Sequence, residues 1–104
     1  MKILAIEKEV PGVADDAFAP HLVEEAKRAW DLHQAGVIRE LYFRTDWEGA
    51  VLVLECADAD EARRVLDTLP LVRKGLIAFD VIPLAPYPGF ARLFAKAEAR
   101  PQKL

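Results

Sequence analysis

The chain has 104 residues, of which 53% are hydrophobic and 30% charged, with a formal net charge of −3. This is the length of one domain and the composition of a folded globular protein, which excludes a disordered chain. Acidic residues dilute Lys27, Arg28, Arg63 and Arg64, which excludes the basic stripe of a nucleic-acid binder, and the single cysteine excludes an intramolecular disulfide.

Residues 2–8 (KILAIEK) predict a first strand. The run Ile3–Ile6 is too short for a signal peptide, and no later run is long enough to span a membrane. A cytoplasmic protein without membrane contact is the expectation. Turn residues Pro11, Gly12, Asp15 and Asp16 follow. A helix is predicted to begin near Ala17–Pro20, since proline is tolerated only in a first turn. Leu22, Val23, Ala26, Ala29, Trp30 and His33 recur at helical spacing and predict its buried face. Gly36 is placed to stop it.

Residues 37–44 (VIRELYFR) predict a second strand and residues 50–56 (AVLVLEC) a third, joined by a short turn as an antiparallel hairpin. Cys56 at its end reads as a packed small hydrophobe. Asp58 and Glu61 form a capping-box pattern for a second helix, with Ala62, Val65, Leu66 and Leu69 as its apolar stripe and Pro70 as its end. Residues 76–84 (LIAFDVIPL) predict the fourth strand. The order β-α-β-β-α-β is the ferredoxin-like α+β pattern: a four-stranded antiparallel sheet with two helices on one face. Strict alternation puts Ile38, Glu40, Tyr42 and Arg44 on one face of the second strand and Val37, Arg39, Leu41 and Phe43 on the other. Val51 and Val53 alternate with Leu52 and Leu54 in the same way. A sheet apolar on both faces needs cover on both. A second copy is the simplest cover for the face without helices, which predicts a homodimer or higher oligomer built as a dimeric α+β barrel.

Beyond this domain of residues 1–88, the tail of residues 89–104 opens on an apolar stretch. Phe90, Leu93, Phe94 and Ala97 predict a short amphipathic helix, and Pro83, Pro86 and Pro88 stiffen the approach to it. Such a helix is marginal alone and is expected to pack on a neighbouring subunit or over the mouth of its own barrel.

The segments "TLPLV" and "LIAFDVIPLAPYP", with Leu69-Pro70-Leu71 and the run to Pro88 as their most specific part, resemble the C-terminal signature of muconolactone isomerases. "IRELYFR" resembles that family's second strand. The resemblance covers roughly residues 1–90. It implies a dimeric α+β barrel, further assembly into rings with the tail reaching a neighbour, and a proton shift in a small unsaturated lactone during aromatic catabolism; separately, no cofactor and no metal are expected. Where the family carries a histidine after the second-strand arginine, this chain has Glu40. Trp47 stands near the place of a second histidine, and Ala85-Pro86 replaces an Arg-His-Pro tail sequence.

Moving a proton between carbons needs a base beside the C–H and a donor for the developing enolate oxygen. Glu40, Tyr42 and Arg44 share one strand face and are the expected catalytic row: base, hydrogen-bond donor and anion clamp. The alternative for this row is a set of ion pairs along a dimer seam. Lys8, Asp46, Trp47 and Tyr87 are the expected substrate-binding residues. His21 and Glu25, four apart on a helix, read as an exposed pair without a third metal ligand. The function expected is a small-molecule enzyme of the isomerase type. The competing expectations are a non-catalytic ligand-binding or assembly protein on the same scaffold and a cofactor-free monooxygenase of the α+β barrel type.

Overall fold

We describe residues 1–94 of the protein in a computed structural model. Strand β1 (Lys2–Glu9) leads through two single 3-10 turns, Asp15–Ala17 and Ala19–His21, into helix α1 (Leu22–Gln34). Strands β2 (Ile38–Phe43) and β3 (Ala50–Glu55) form the hairpin, followed by helices α2 (Ala59–Leu66) and α3 (Pro70–Arg73) and strand β4 (Ile77–Pro83). The strands lie in the order β2-β3-β1-β4, with every neighbouring pair antiparallel. This is the ferredoxin-like sheet that the element order predicts.

Local chemistry sets the element ends. Gly36, at φ 78°, takes the left-handed position after α1, and its N–H donates to the carbonyl of His33. The side chain of Asp58 accepts the N–H of Glu61 at 2.8 Å, and the Glu61 carboxylate accepts the N–H of Ala57 at 2.7 Å. The second helix differs from its prediction. It ends at Leu66, and Pro70 opens α3 instead of closing α2. Proline suits that first position, where its missing N–H has no helical partner to lose.

The helix-side face of the sheet carries the core. Ile3, Ala5, Ile38, Leu52 and Leu54 are buried there against Leu32, Ala62, Leu66 and Leu69 from the helical layer. Cys56 packs with them, and burial pushes its thiol pKa up. Leu54 is 1% exposed and lies opposite Ile3 and Ile38 at once. Leu54→Ala is therefore expected to destabilise the fold by about 2–5 kcal/mol, read as a lower urea midpoint with an unchanged slope. A loss below about 1 kcal/mol would mean that the site is not the centre of the core.

Two faces depart from simple periodicity. The pairing of β2 with β3 slips between Ile38 and Glu40, so Ile38, Leu41 and Phe43 lie opposite Leu54, Leu52 and Ala50. The extra residue flips the alternation, and Ile38 shares a face with Leu41 and Phe43, not with Glu40. On α1 the inward residues are Glu25, Ala29 and Leu32, while Val23 and Trp30 are 83% and 59% exposed. Helical spacing alone does not tell which of two apolar arcs meets the sheet. Here the arc through Glu25, Ala29 and Leu32 does, and Val23 and Trp30 face outward.

The sheet face without helices carries Leu4, Ile6, Val51, Val53 and Ile82, and Lys8 pairs there with Asp80 at 3.1 Å. The tail adopts a 3-10 turn over Gly89–Leu93 instead of the first turn of an α-helix. Phe90, Leu93 and Phe94 are exposed. Ala97 and the rest of the tail lie outside the described residues. Among the described residues no helix is long and apolar enough to cross a membrane.

Candidate functional site

A chamber of about 290 Å³ lies between α1 and the sheet. Ala26 and Ala29 of α1 roof it, Leu41, Phe43, Leu52 and Phe79 form its floor, and Leu69 and Leu71 close one end. The alanines of α1 and Ala50 of β3 are why there is space: bulkier side chains in those places would fill it. A wider mouth of about 520 Å³ shares Glu7, Leu22, Phe43, Leu71 and Ile77 with the chamber and opens past Phe18 and Trp47.

Two polar side chains line the inner chamber, Glu7 and Glu25. Each is fixed by a backbone group that the fold leaves without a partner. The β1–β3 ladder runs to the pair Ile6 and Val51. Just past it, Glu7 Oε1 accepts the N–H of Ala50 at 3.0 Å. Leu71 sits in the first turn of α3, where N–H groups lack helical acceptors, and Glu25 Oε1 takes that N–H at 2.9 Å. Oε2 of each glutamate has no hydrogen-bond partner among the described residues, which leaves it for a ligand. The site is braced from behind by Arg28, whose Nε donates to Thr68 Oγ1 at 2.9 Å and ties α1 to the α2–α3 turn.

Burial raises the pKa of both carboxyls, against the smaller opposing effect of their backbone hydrogen bonds. The charge of Glu7 adds to the upward push on Glu25. Two carboxyls in one apolar chamber are thus harder to ionise together than either would be alone in water. The sign of the linkage follows. A raised folded pKa means the folded chain binds more protons than the unfolded one above the ordinary glutamate value of 4.5. Stability is therefore expected to fall as pH rises from about 4.5 through the raised folded values. Glu25→Gln keeps an acceptor for Leu71 and removes the charge, so its urea midpoint should fall less over that range. A variant with the same pH slope as the parent would show that Glu25 ionises as freely folded as unfolded.

The residues expected from the sequence fall in three places. Glu40 and Tyr42 lie on the open face of the sheet, with Arg44 continuing the row and Lys8 on the same face. Tyr42 donates its hydroxyl to Glu40 Oε1 at 2.7 Å, and this bond raises the phenol pKa. Arg44 holds Asp46 through two bonds of 2.9 and 2.8 Å, which lower the Asp46 pKa. Trp47 lies across Gly49, where its ring leaves no room for a Cβ, and stands at the mouth of the chamber with the Arg44 guanidinium 5.7 Å from its ring centroid. Tyr87 packs edge-to-face on Phe90 in the tail, with centroids 4.9 Å apart. Only Trp47 of the expected residues lines the chamber or its mouth. Glu7 was not singled out from the sequence, although it continues the inward parity of Ile3 and Ala5. Glu25 reads there as exposed, yet it is half-buried.

The solved structures similar to this chain carry the same fold. A 5-chloro-2-hydroxyhydroquinone dehydrochlorinase from Burkholderia phenoliruptrix, in complex with 2,5-dihydroxybenzoquinone, is 19% identical, with 82% of this chain and 94% of that one covered at a TM-score of 0.66. A muconolactone isomerase is 18% identical, with 85% and 92% covered at a TM-score of 0.69. No curated protein matches the sequence. The family of muconolactone delta-isomerases matches residues 4–89, which run from β1 through all four strands and three helices to the start of the tail. Sequence pattern, sheet order and family match agree, and the chain belongs to the muconolactone delta-isomerase family.

Proposed function

We propose that the protein catalyses proton transfer on a small cyclic compound held between α1 and the sheet, with Glu7 as base and Glu25 as acid. The observation that carries this is the pair of half-buried carboxyls in an otherwise apolar chamber. In this mechanism the Glu7 carboxylate removes a ring C–H proton, and the electron pair moves toward a ring carbonyl oxygen. The protonated Glu25 donates a hydrogen bond to that oxygen as its charge develops. Glu7, now protonated, returns the proton to a second carbon, so the product is an isomer and the enzyme regains its starting state. Glu25 is assigned the acid because the Glu7 charge raises its pKa further. Membership of an isomerase family supports the reaction class.

The test is hydrogen exchange. The protein is incubated with an unsaturated γ-lactone in D2O, and the ring C–H signal is followed by NMR. Loss of signal faster than in buffer supports the proposal. No exchange across a panel of lactones and hydroxyquinones would favour a ligand-binding scaffold instead.

A second reading rests on the hydrogen bond from Tyr42 to Glu40. If a second copy covers the open face, the row Glu40, Tyr42 and Arg44 is enclosed between two sheets. There it serves either as a seam of polar contacts or as a second catalytic row, and unchanged exchange in Glu40→Gln would assign it to the seam. The same covering by a second copy is our proposal for the apolar patch of that face.

A further inference from the structure

Resting on the chamber as the reacting site, we infer that Trp47 is a specificity-determining residue, and that the ligand is a small ring carrying a flat apolar substituent that lies against the indole in the mouth. The hairpin between β2 and β3 holds this side chain from several sides. The Arg44 N–H donates to the Gly49 carbonyl at 2.9 Å, and the Gly49 N–H donates to the Trp47 carbonyl at 2.7 Å, which closes the turn around the residue. The indole covers Gly49, which is buried beneath it, and a Cβ there would displace the ring. The Arg44 guanidinium lies over the indole and is itself forked onto Asp46. A large side chain fixed in this way has little freedom left to lose when a ligand touches it. Trp47 takes no part in the core, remains 36% exposed and borders the mouth.

The two compartments divide the ligand between them. A cavity of roughly 150 Å³ holds a benzene, so about 290 Å³ takes one small ring. The mouth of about 520 Å³ joins the chamber along Glu7, Leu22, Phe43, Leu71 and Ile77, which line both, so a group attached to the bound ring leads into the mouth. There Val10, Val13, Phe18 and Leu76 are half-buried and complete an apolar surface with Trp47. Glu9, Asp15 and Glu48 also border the mouth, but they are exposed and their carboxylates keep their water. An aryl substituent gains most from such a wall, since the aromatic contact adds to the apolar area taken from water.

The test compares two unsaturated γ-lactones that differ in one substituent, a γ-methyl and a γ-phenyl group. In calorimetry the parent protein is expected to bind the phenyl lactone about tenfold more tightly. Trp47→Ala and Gly49→Ala are each expected to bring the two affinities within about threefold of one another. Because the first could loosen the hairpin, the second keeps the indole and only moves it from its seat. Fluorescence supplies a direct readout. Trp30, the other tryptophan of the chain, faces outward from α1, so in Trp30→Phe the emission reports on Trp47 alone, and the phenyl lactone is expected to quench or shift it. Equal binding of both lactones by the parent would overturn the inference, as would a phenyl preference that survives in either folded variant, or binding that leaves the Trp47 emission unchanged. So would an emission that responds to subunit dissociation on dilution and not to ligand, which would make Trp47 a contact between copies. Binding is read without turnover, so the two proposals fail separately. A phenyl preference that depends on Trp47, without proton exchange on either lactone, would retire the isomerase mechanism and leave the inference standing. Exchange lost in Glu25→Gln, on lactones bound alike whatever their substituent, would do the reverse. Binding of neither lactone would overturn both.

Discussion

Glu25→Gln is expected to reduce enzyme-dependent proton exchange by roughly 10²–10⁴-fold, the usual contribution of a placed acid or base. The amide keeps the shape of the side chain and an oxygen for the Leu71 N–H, which Glu25 now accepts at 2.9 Å. Removed are the carboxylic proton and the ability to hold it against solvent. Glu7→Gln should lose exchange to a similar degree, because its carboxylate is the group that takes the proton. The two losses should not add, since one base without its acid, or the reverse, completes no transfer. Circular dichroism and the urea midpoint report whether each variant stays folded. If both remain folded and exchange continues at the parent rate, neither carboxyl is catalytic, and the open-face row of Glu40, Tyr42 and Arg44 becomes the first candidate.

Val53→Lys should convert an assembled protein into an 11.6 kDa monomer in sedimentation at micromolar concentration. Val53 lies on the helix-free face, beside Leu4 of β1 and opposite Glu40 of β2. With Ile6, Val51 and Ile82 it makes an apolar patch on a face that the protein's own helices do not cover. Two such patches facing each other would bury both. A lysine set into that seam would lose its hydration even with Glu40 across the strand, and a cost of about 3 kcal/mol would weaken association by about 10²-fold. The substitution leaves the buried helix-side face untouched, so each subunit should keep its fold. A parent protein that is already monomeric at micromolar concentration would remove the basis for this proposal.

How much of this was visible in the sequence depended on whether the relevant signal was local. The capping box of Asp58 and Glu61, the stop at Gly36 and the strand hairpin are written in neighbouring residues, and each stands where its chemistry places it. The resemblance carried by Leu69-Pro70-Leu71 through Pro88 led to the family. The face of α1 was less legible, because Val23 and Trp30 widen the apolar arc of Leu22, Ala26 and Ala29 on one side while Glu25 and Leu32 turn inward on the other. The slip between Ile38 and Glu40 was also hidden, since a bulge shows only when a second strand supplies the register. These two points concealed the chamber. Glu25 looked like half of an exposed pair with His21, and its inward position depends on which arc of α1 meets the sheet. Glu7 carried a signal that was present and unused: an acid at the inward parity of a strand whose other inward residues, Ile3 and Ala5, are apolar. The row of Glu40, Tyr42 and Arg44 was correctly placed on one face, but whether that face takes part in chemistry depends on a partner that one chain's sequence does not display.

The central claim is that reaction takes place in the chamber between α1 and the sheet. A crystal structure of the protein with an unsaturated γ-lactone bound would test it most directly. The account predicts a ring near Phe43 and Phe79, with its carbonyl oxygen within hydrogen-bond distance of Glu25 Oε2 and a ring carbon beside Glu7 Oε2. A ring found instead on the open face, between Glu40 and Arg44, would contradict it.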